Sequence, residues 1–262
     1  CSSEKGDSKM FQEEFLSAAN SAAAKLSLLK KNPLGYFLLS MLAGAFIGFG
    51  VLLTNTIGAQ LSGAPYTKLV MGLTFGIALS LVVMAGGELF TGNNFVMTAG
   101  LLRRTVTLPD TLLLWLVCWL GNLVGSALLA GIYVLTGLPQ GNVGEFMASA
   151  VLAKIAPGPV ALLCRGALCN MLVCLAVWIG FRAKSDAGKL IMVFWCLLAF
   201  VTTGFEHSVA NMTLFAEALL NPSGQSISLM GCLYNLIFVT IGNMVGGALL
   251  VAVPYAVGAR KM

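Results

Sequence analysis

Apolar residues run in long blocks along the chain, broken by short polar punctuation. Six blocks, roughly 34–57, 69–101, 111–136, 159–181, 189–219 and 229–256, are each long enough to cross a bilayer, which takes about 20 residues of helix. Ahead of the first block, Phe11, Phe15, Ala18, Ala22, Leu26 and Leu29 recur at helical spacing. That pattern predicts an amphipathic helix lying along the membrane surface. The chain therefore divides into a polar segment over 1–32 and a six-helix membrane unit over 33–262.

The second and fifth blocks are too long for one straight crossing, and each is interrupted in its middle. The interruptions are Gly86-Gly87-Glu88-Leu89-Phe90-Thr91-Gly92-Asn93-Asn94 and Thr203-Gly204-Phe205-Glu206-His207-Ser208-Val209-Ala210-Asn211. Backbone without hydrogen-bond partners is tolerated at membrane depth only where it is buried in protein or lines a cavity. Two broken helices therefore point to a path through the bundle.

The breaks belong to a repeat. Gly121-Asn122-Leu123-Val124-Gly125-Ser126-Ala127-Leu128-Leu129 matches Gly242-Asn243-Met244-Val245-Gly246-Gly247-Ala248-Leu249-Leu250 at seven of nine positions, offset by 121. At an offset of 118, Gly86, Glu88 and Asn93 match Gly204, Glu206 and Asn211; Gly44-Ala45 and Gly166-Ala167 are also about 120 apart. Three crossings per repeat is an odd number, so the halves, about 33–136 and 159–256, must be inverted in the bilayer. That arrangement places a transport site at the repeat interface. Each break also presents the partly positive N-terminus of a half-helix, a setting that favours an anion. The glycines of the GNxVG segments are expected to let helices pack closely.

Composition narrows the function classes. The 262 residues are 58% hydrophobic and 10% charged, with mean hydropathy +0.90, against about 25% charged in soluble domains. A water-soluble globule is excluded. The net charge of +5 comes from residues at span ends with no basic stripe among exposed aromatics, so nucleic acid is not an expected partner. Lys25, Lys30, Lys31, Arg103, Arg104, Arg182, Lys184, Lys189, Arg260 and Lys261 gather on one side. Only Lys68 and Lys154 lie in the opposite loops, and Arg165 falls just inside the fourth span. The positive-inside rule then puts both termini in the cytoplasm, as expected of a multi-pass protein of the cell inner membrane. Residues 1–32 have no signal-peptide pattern, and Met10 is a candidate start that would make Cys1 to Lys9 an added segment. Five of the seven cysteines lie inside apolar spans and none is in CxxC spacing, so they are expected to be small buried hydrophobes.

Few residues carry chemistry. His207 is the only histidine; in a membrane interior an ionisable group marks function by default, and this one can donate a hydrogen bond or a proton to a passing anion. Glu88 and Glu206 are the acids deep in the spans, expected to accept hydrogen bonds from backbone N–H groups freed at the breaks. Lys154, in the outer loop Ala153-Lys154-Ile155-Ala156-Pro157, either attracts anions or snorkels to the interface. Phe75, Leu79, Phe90 and Phe200 are candidate apolar constrictions, with Leu89 beside them in the first break. HExxH, Walker, Rossmann and nucleophile-elbow motifs are absent, and one histidine cannot make a usual metal or haem site. An enzyme, a cofactor and a metal are therefore not expected.

The segments Glu88-Leu89-Phe90-Thr91-Gly92-Asn93, Gly166-Ala167-Leu168-Cys169-Asn170-Met171-Leu172-Val173-Cys174-Leu175-Ala176-Val177-Trp178, Gly204-Phe205-Glu206-His207-Ser208-Val209-Ala210-Asn211-Met212 and Thr240-Ile241-Gly242-Asn243 resemble the formate/nitrite transporter family. The resemblance implies an aquaporin-like protomer of six helices, a homopentamer with one pore per protomer, and passage of small monovalent anions such as formate, nitrite or hydrosulfide. It implies that Thr91 and His207 flank the central site and that Phe75, Leu79, Phe90 and Phe200 narrow the path. Lys154, Asn170 and Asn243 would form the polar arrangement near the site and its outer approach, with Glu88, Asn93, Glu206 and Asn211 structural at the breaks. Gly92 follows Thr91 where the family's formate channels carry Ser, which resembles the nitrite and hydrosulfide branches. The other transport reading, a water or neutral-solute pore of aquaporin type, lacks the asparagine-proline-alanine pair.

Overall fold

The computed structural model describes residues 4–259, with the side chains of residues 4–10 outside the description. Cys1, Arg260 and Lys261 fall outside the described residues, as does most of what bears on the segment before Met10. The described residues form an all-helical fold. The elements are α1 (Glu4–Lys31), α2 (Pro33–Gln60), α3 (Thr67–Leu81), α4 (Phe90–Leu102), α5 (Leu108–Leu135) and α6 (Asn142–Ile155). They continue as α7 (Pro159–Arg182), α8 (Asp186–Thr203), α9 (Ser208–Leu220), α10 (Leu229–Met244) and α11 (Val253–Gly258). A π-helical turn, Val82–Gly86, extends α3, and a second, Val245–Ala252, joins α10 to α11 into one crossing. Among the described residues six helices are long and apolar enough to span a membrane: α2, α3 with its π turn, α5, α7, α8 and the α10–α11 rod. At about 1.5 Å per residue the 28 residues of α2 reach about 42 Å, beyond a hydrocarbon core of about 30 Å, so its ends emerge or it tilts.

Local chemistry sets the ends. Asn32 caps α2 through Gly35 N–H (2.9 Å) with Pro33 at the first helical position, and Thr107 with Asp110 forms a capping box on α5. Ser185 and Ser228 cap α8 and α10.

The halves pack alike. α2 lies on α5 as α7 lies on α10, and α3 crosses α8 between them. The paired glycines are the reason for the closeness: a Cβ on Gly125 would strike the carbonyl of Met41 in α2, and one on Gly246 would strike that of Ala167 in α7.

Two expectations are corrected. α1 is not a separate surface helix: Phe15, Ala18, Ala22, Leu26 and Leu29 are buried against the bundle, and the Phe15 ring meets Phe95 and Trp178, each at 6.3 Å. The amphipathic stripe is real, but it faces protein, because α4, α2 and α7 offer an apolar surface that lipid would otherwise cover. The linker between halves is not a plain loop either. It forms α6, so Lys154 sits in the last turn of a helix. α1 and α6 each precede the first span of their half and mark its two opposite sides.

Candidate functional site

Each break starts with a glycine that an L side chain would strain: Gly86 has φ +86° and Gly204 φ +79°. Gly204 ends α8 in a left-handed cap, with Phe205 N–H donating back to the Phe200 carbonyl at 3.0 Å. Three extended residues then lead to a half-helix of 13 residues, about 20 Å long. α4 runs from the middle of the bundle toward the α1 side and α9 toward the α6 side.

An asparagine holds each break. Asn122 Oδ1 accepts the N–H of Phe90 (2.9 Å), while its Nδ2 donates to the carbonyls of Ser40 (2.7 Å) and Glu88 (2.9 Å). Asn243 repeats this with Ser208 N–H (3.0 Å) and the carbonyls of Gly166 (2.8 Å) and Glu206 (3.0 Å). One amide thus satisfies three backbone groups that have no water to turn to. Asn243, expected in the polar arrangement near the site and its outer approach, is fully buried and holds the break beside His207. Asn170 is also fully buried, its Nδ2 donating to the Thr91 carbonyl (3.2 Å), to Asn94 Oδ1 (2.9 Å) and to the Asn243 carbonyl (2.6 Å). Neither lines either of the two cavities described below. Asn122 and Asn243 occupy matching positions of the repeat, 121 residues apart, which is the sequence signal for this shared clamp.

The glutamates do not take backbone N–H groups, which corrects the expectation for them. Lys25 donates to both carboxylate oxygens of Glu88 at 2.7 Å, and Asn93 Nδ2 donates to the same carboxylate at 3.0 Å. In the other half Lys154 donates to Glu206 at 2.9 Å and Asn211 Nδ2 at 2.7 Å. A buried carboxylate needs a charge partner more than an amide dipole. Asn93 and Asn211 reach on to Tyr36 (3.2 Å) and Asn235 (2.9 Å). Lys25, on the amphipathic helix α1, is the counterpart of Lys154.

The two half-helix starts meet. Thr91 Oγ1 lies 3.1 Å from His207 Nε2, and both residues are buried. His207 Nδ1 accepts the N–H of Ala210 (3.1 Å), capping α9. A backbone N–H can only donate, so Nδ1 presents its lone pair and the neutral ring carries its proton on Nε2. That proton faces Thr91 Oγ1, leaving the Thr91 hydroxyl hydrogen free to point elsewhere.

A cavity opens toward this point from either side. The α1-side cavity, of about 290 Å³, is lined by Lys25, Leu79, Leu89, Asn93 and Lys189 among others. The α6-side cavity, of about 640 Å³, is lined by Phe75, Lys154, Phe200, Glu206 and His207, with Lys68 and Arg165 also in its wall. They share no lining residue. Leu79 and Leu89 line one; Phe75 and Phe200, edge to face at 5.5 Å, line the other, and Phe200 stacks on His207 at 6.0 Å. Phe90, expected among the constrictions, lines neither cavity, since its ring turns to Trp115 (6.5 Å). Thr91 lies between the cavities and lines neither. Among the described residues no three metal-ligating side chains cluster, and the six cysteines there are unbridged.

Known proteins share this architecture. The nitrite transporter NirC of Escherichia coli is 41% identical over 249 residues, which cover 94% of this chain and 91% of the relative. A solved FNT family ion channel superposes with a TM-score of 0.88 at 40% identity, covering 93% of this chain and 97% of that one. A pentameric formate channel with formate bound gives 0.75 at 30% identity, over 86% and 97%. The profile of the formate/nitrite transporter family matches residues 12–257, and with the broken helices, their asparagine clamps and the paired cavities in view, the chain belongs to that family.

Proposed function

We propose that the protein is a membrane channel for small monovalent anions, nitrite and formate first, with hydrosulfide as a further candidate. The observation that carries this is the contact of two half-helix starts through Thr91 and His207, between cavities each lined by a lysine that pairs with a glutamate of the neighbouring break. Partial positive charge and two neutral donors suit a small anion or its conjugate acid. The breaks hold no neutral-solute filter of aquaporin type, so the anion reading is preferred over the water pore.

The closed apolar rings set the energetic problem. Estimates for an unshielded charge at the centre of a bilayer run from about 3 to more than 10 kcal/mol. Protonating an acid of pKa about 4 at pH 7 costs about 4 kcal/mol. Passage past Phe75, Phe200 and Leu79 as the neutral acid is then the cheaper route where the rings stay dry. The proton comes from cavity water, and His207 serves as a fixed donor. Giving up Nε2–H from a neutral ring would leave an imidazolate, and charging the ring would cost the Ala210 cap.

The assembly proposed is a homopentamer, supported by the pentameric formate channel and by exposed apolar faces on α5 and α10 (Leu116, Leu128, Ile132, Ile237, Ile241) that lipid or neighbouring subunits would cover. Lys25, Lys30, Arg103, Arg182 and Lys189 support a cytoplasmic α1 side in the inner membrane.

Proteoliposome flux compared among nitrite, formate, hydrosulfide and glycerol tests the reading. Anion flux well above glycerol flux is expected. Glycerol or water permeation without anion flux would reject it.

A further inference from the structure

The internal two-fold equates the Lys25–Glu88 and Lys154–Glu206 pairs, and each is electrically neutral. The remaining charges break that symmetry. On the α1 side the other lining cation, Lys189, is paired with Asp186 at 3.2 Å. On the α6 side Lys68 and Arg165 line the cavity, both are exposed, and neither forms an ion pair among the described residues. Glu206 is the acid in that wall and is already matched by Lys154.

Resting on the anion-channel reading, we infer that Lys68 and Arg165 make the α6-side cavity an anion-collecting antechamber that the α1-side cavity lacks. Unmatched charges in a concave wall of low dielectric focus their field on the space between them and raise the local concentration of counter-ions. The larger volume on this side gives collected anions room to wait for entry at Phe75 and Phe200. Neither cation touches His207 or Thr91, so the effect concerns collection and half-saturation and leaves the barrier at the rings alone. A passive pore obeys detailed balance, so its permeability at very low concentration is equal from both sides. The asymmetry therefore appears in the half-saturating concentration, lower from the α6 side.

The test reads the cavity charge directly. Ala153→Cys and Val83→Cys place thiols in the exposed walls of the α6-side and α1-side cavities. Modification rates by a negatively charged and a neutral methanethiosulfonate are compared in the purified channel, with the protein lacking the added thiol as background. At an ionic strength of about 20 mM, where screening reaches roughly 20 Å, the charged-to-neutral ratio is expected to be about three- to tenfold higher at Ala153→Cys. Adding Arg165→Gln and Lys68→Gln should abolish that excess, Arg165→Lys should keep it, and about 500 mM salt should erase it. Asp186→Asn, which frees Lys189, should raise the ratio at Val83→Cys; this arm decides the matter if the double charge variant does not fold. In flux, the double variant should raise the half-saturating nitrite concentration from the α6 side about threefold or more. Equal ratios at the two thiols, or an excess indifferent to salt and to both substitutions, would overturn the inference. Wild-type vesicles impermeable to every anion would instead reject the channel reading, since labelling does not depend on transport.

Discussion

Thr91 Oγ1 and His207 Nε2 meet at 3.1 Å, although 116 positions separate them in the chain. Each opens a half-helix that begins at the middle of the bundle and runs to an opposite side. The contact therefore joins the halves at the point where two helix N-termini converge, between the two cavities. With Nδ1 committed to Ala210, the ring offers one donor in a fixed direction.

His207→Asn tests that assignment. Asparagine is a good N-cap, so α9 should stay capped and thermal stability should change little. Nitrite flux should fall roughly tenfold or more with the loss of the positioned donor. In wild type, flux should rise as pH falls, because the neutral-acid fraction grows about tenfold per unit at pH values above the acid's own pKa. The variant should keep that slope. A flat pH profile in His207→Asn would instead assign the titrating step to the imidazole.

Asn122→Ala and Asn243→Ala should cost similar amounts, since each asparagine makes the same three backbone hydrogen bonds. Leaving such groups buried and unpaired should destabilise by about 3 kcal/mol in either variant. Unfolding in detergent, followed by circular dichroism, measures this. A large loss in one and none in the other would mean that the halves do not share the load.

The Lys25–Glu88 pair ties α1 to the first break. Lys25→Met strands a part-buried carboxylate and should destabilise by about 3 kcal/mol. Combining it with Glu88→Gln should recover most of that loss, a coupling a double-mutant cycle reads directly. Additive losses would show that the two side chains act independently.

Phe75→Ala and Phe200→Ala remove the edge-to-face rings that line the α6-side cavity, the constriction proposed there. Each should lower stability by about 3 kcal/mol. Each should also admit larger monocarboxylates such as propionate, which wild type should pass poorly. Vesicle uptake of a graded acid series gives the answer, and unchanged size selectivity would move the constriction elsewhere.

Much of the fold was legible because a membrane makes the pattern strict. The apolar blocks placed six crossings within a few residues of the helices found, and the extra length of two blocks disclosed the breaks. Repeated glycines announced the close approach of α2 to α5 and of α7 to α10. The central pair, Thr91 and His207, came through the family resemblance together with the rarity of a membrane histidine. Other parts were not legible. An amphipathic stripe does not say whether lipid or protein covers it, and only the apolar surface offered by α4 and α7 drew α1 onto the bundle. A carboxylate inside a span must find a partner, but Lys25 is 63 residues from Glu88 and 52 separate Lys154 from Glu206.

The sequence by itself determined the crossings, their inverted duplication and the places where helices must stop. Those depend on periodicity, length and backbone freedom, which are local properties. The tertiary structure alone decided that Asn122 and Asn243 clamp the breaks, that the lysines neutralise the glutamates, and that Lys68 and Arg165 remain unmatched among the described residues. Pairing of polar groups across a bundle depends on which helices adjoin at which height, and no stretch of chain contains that distance.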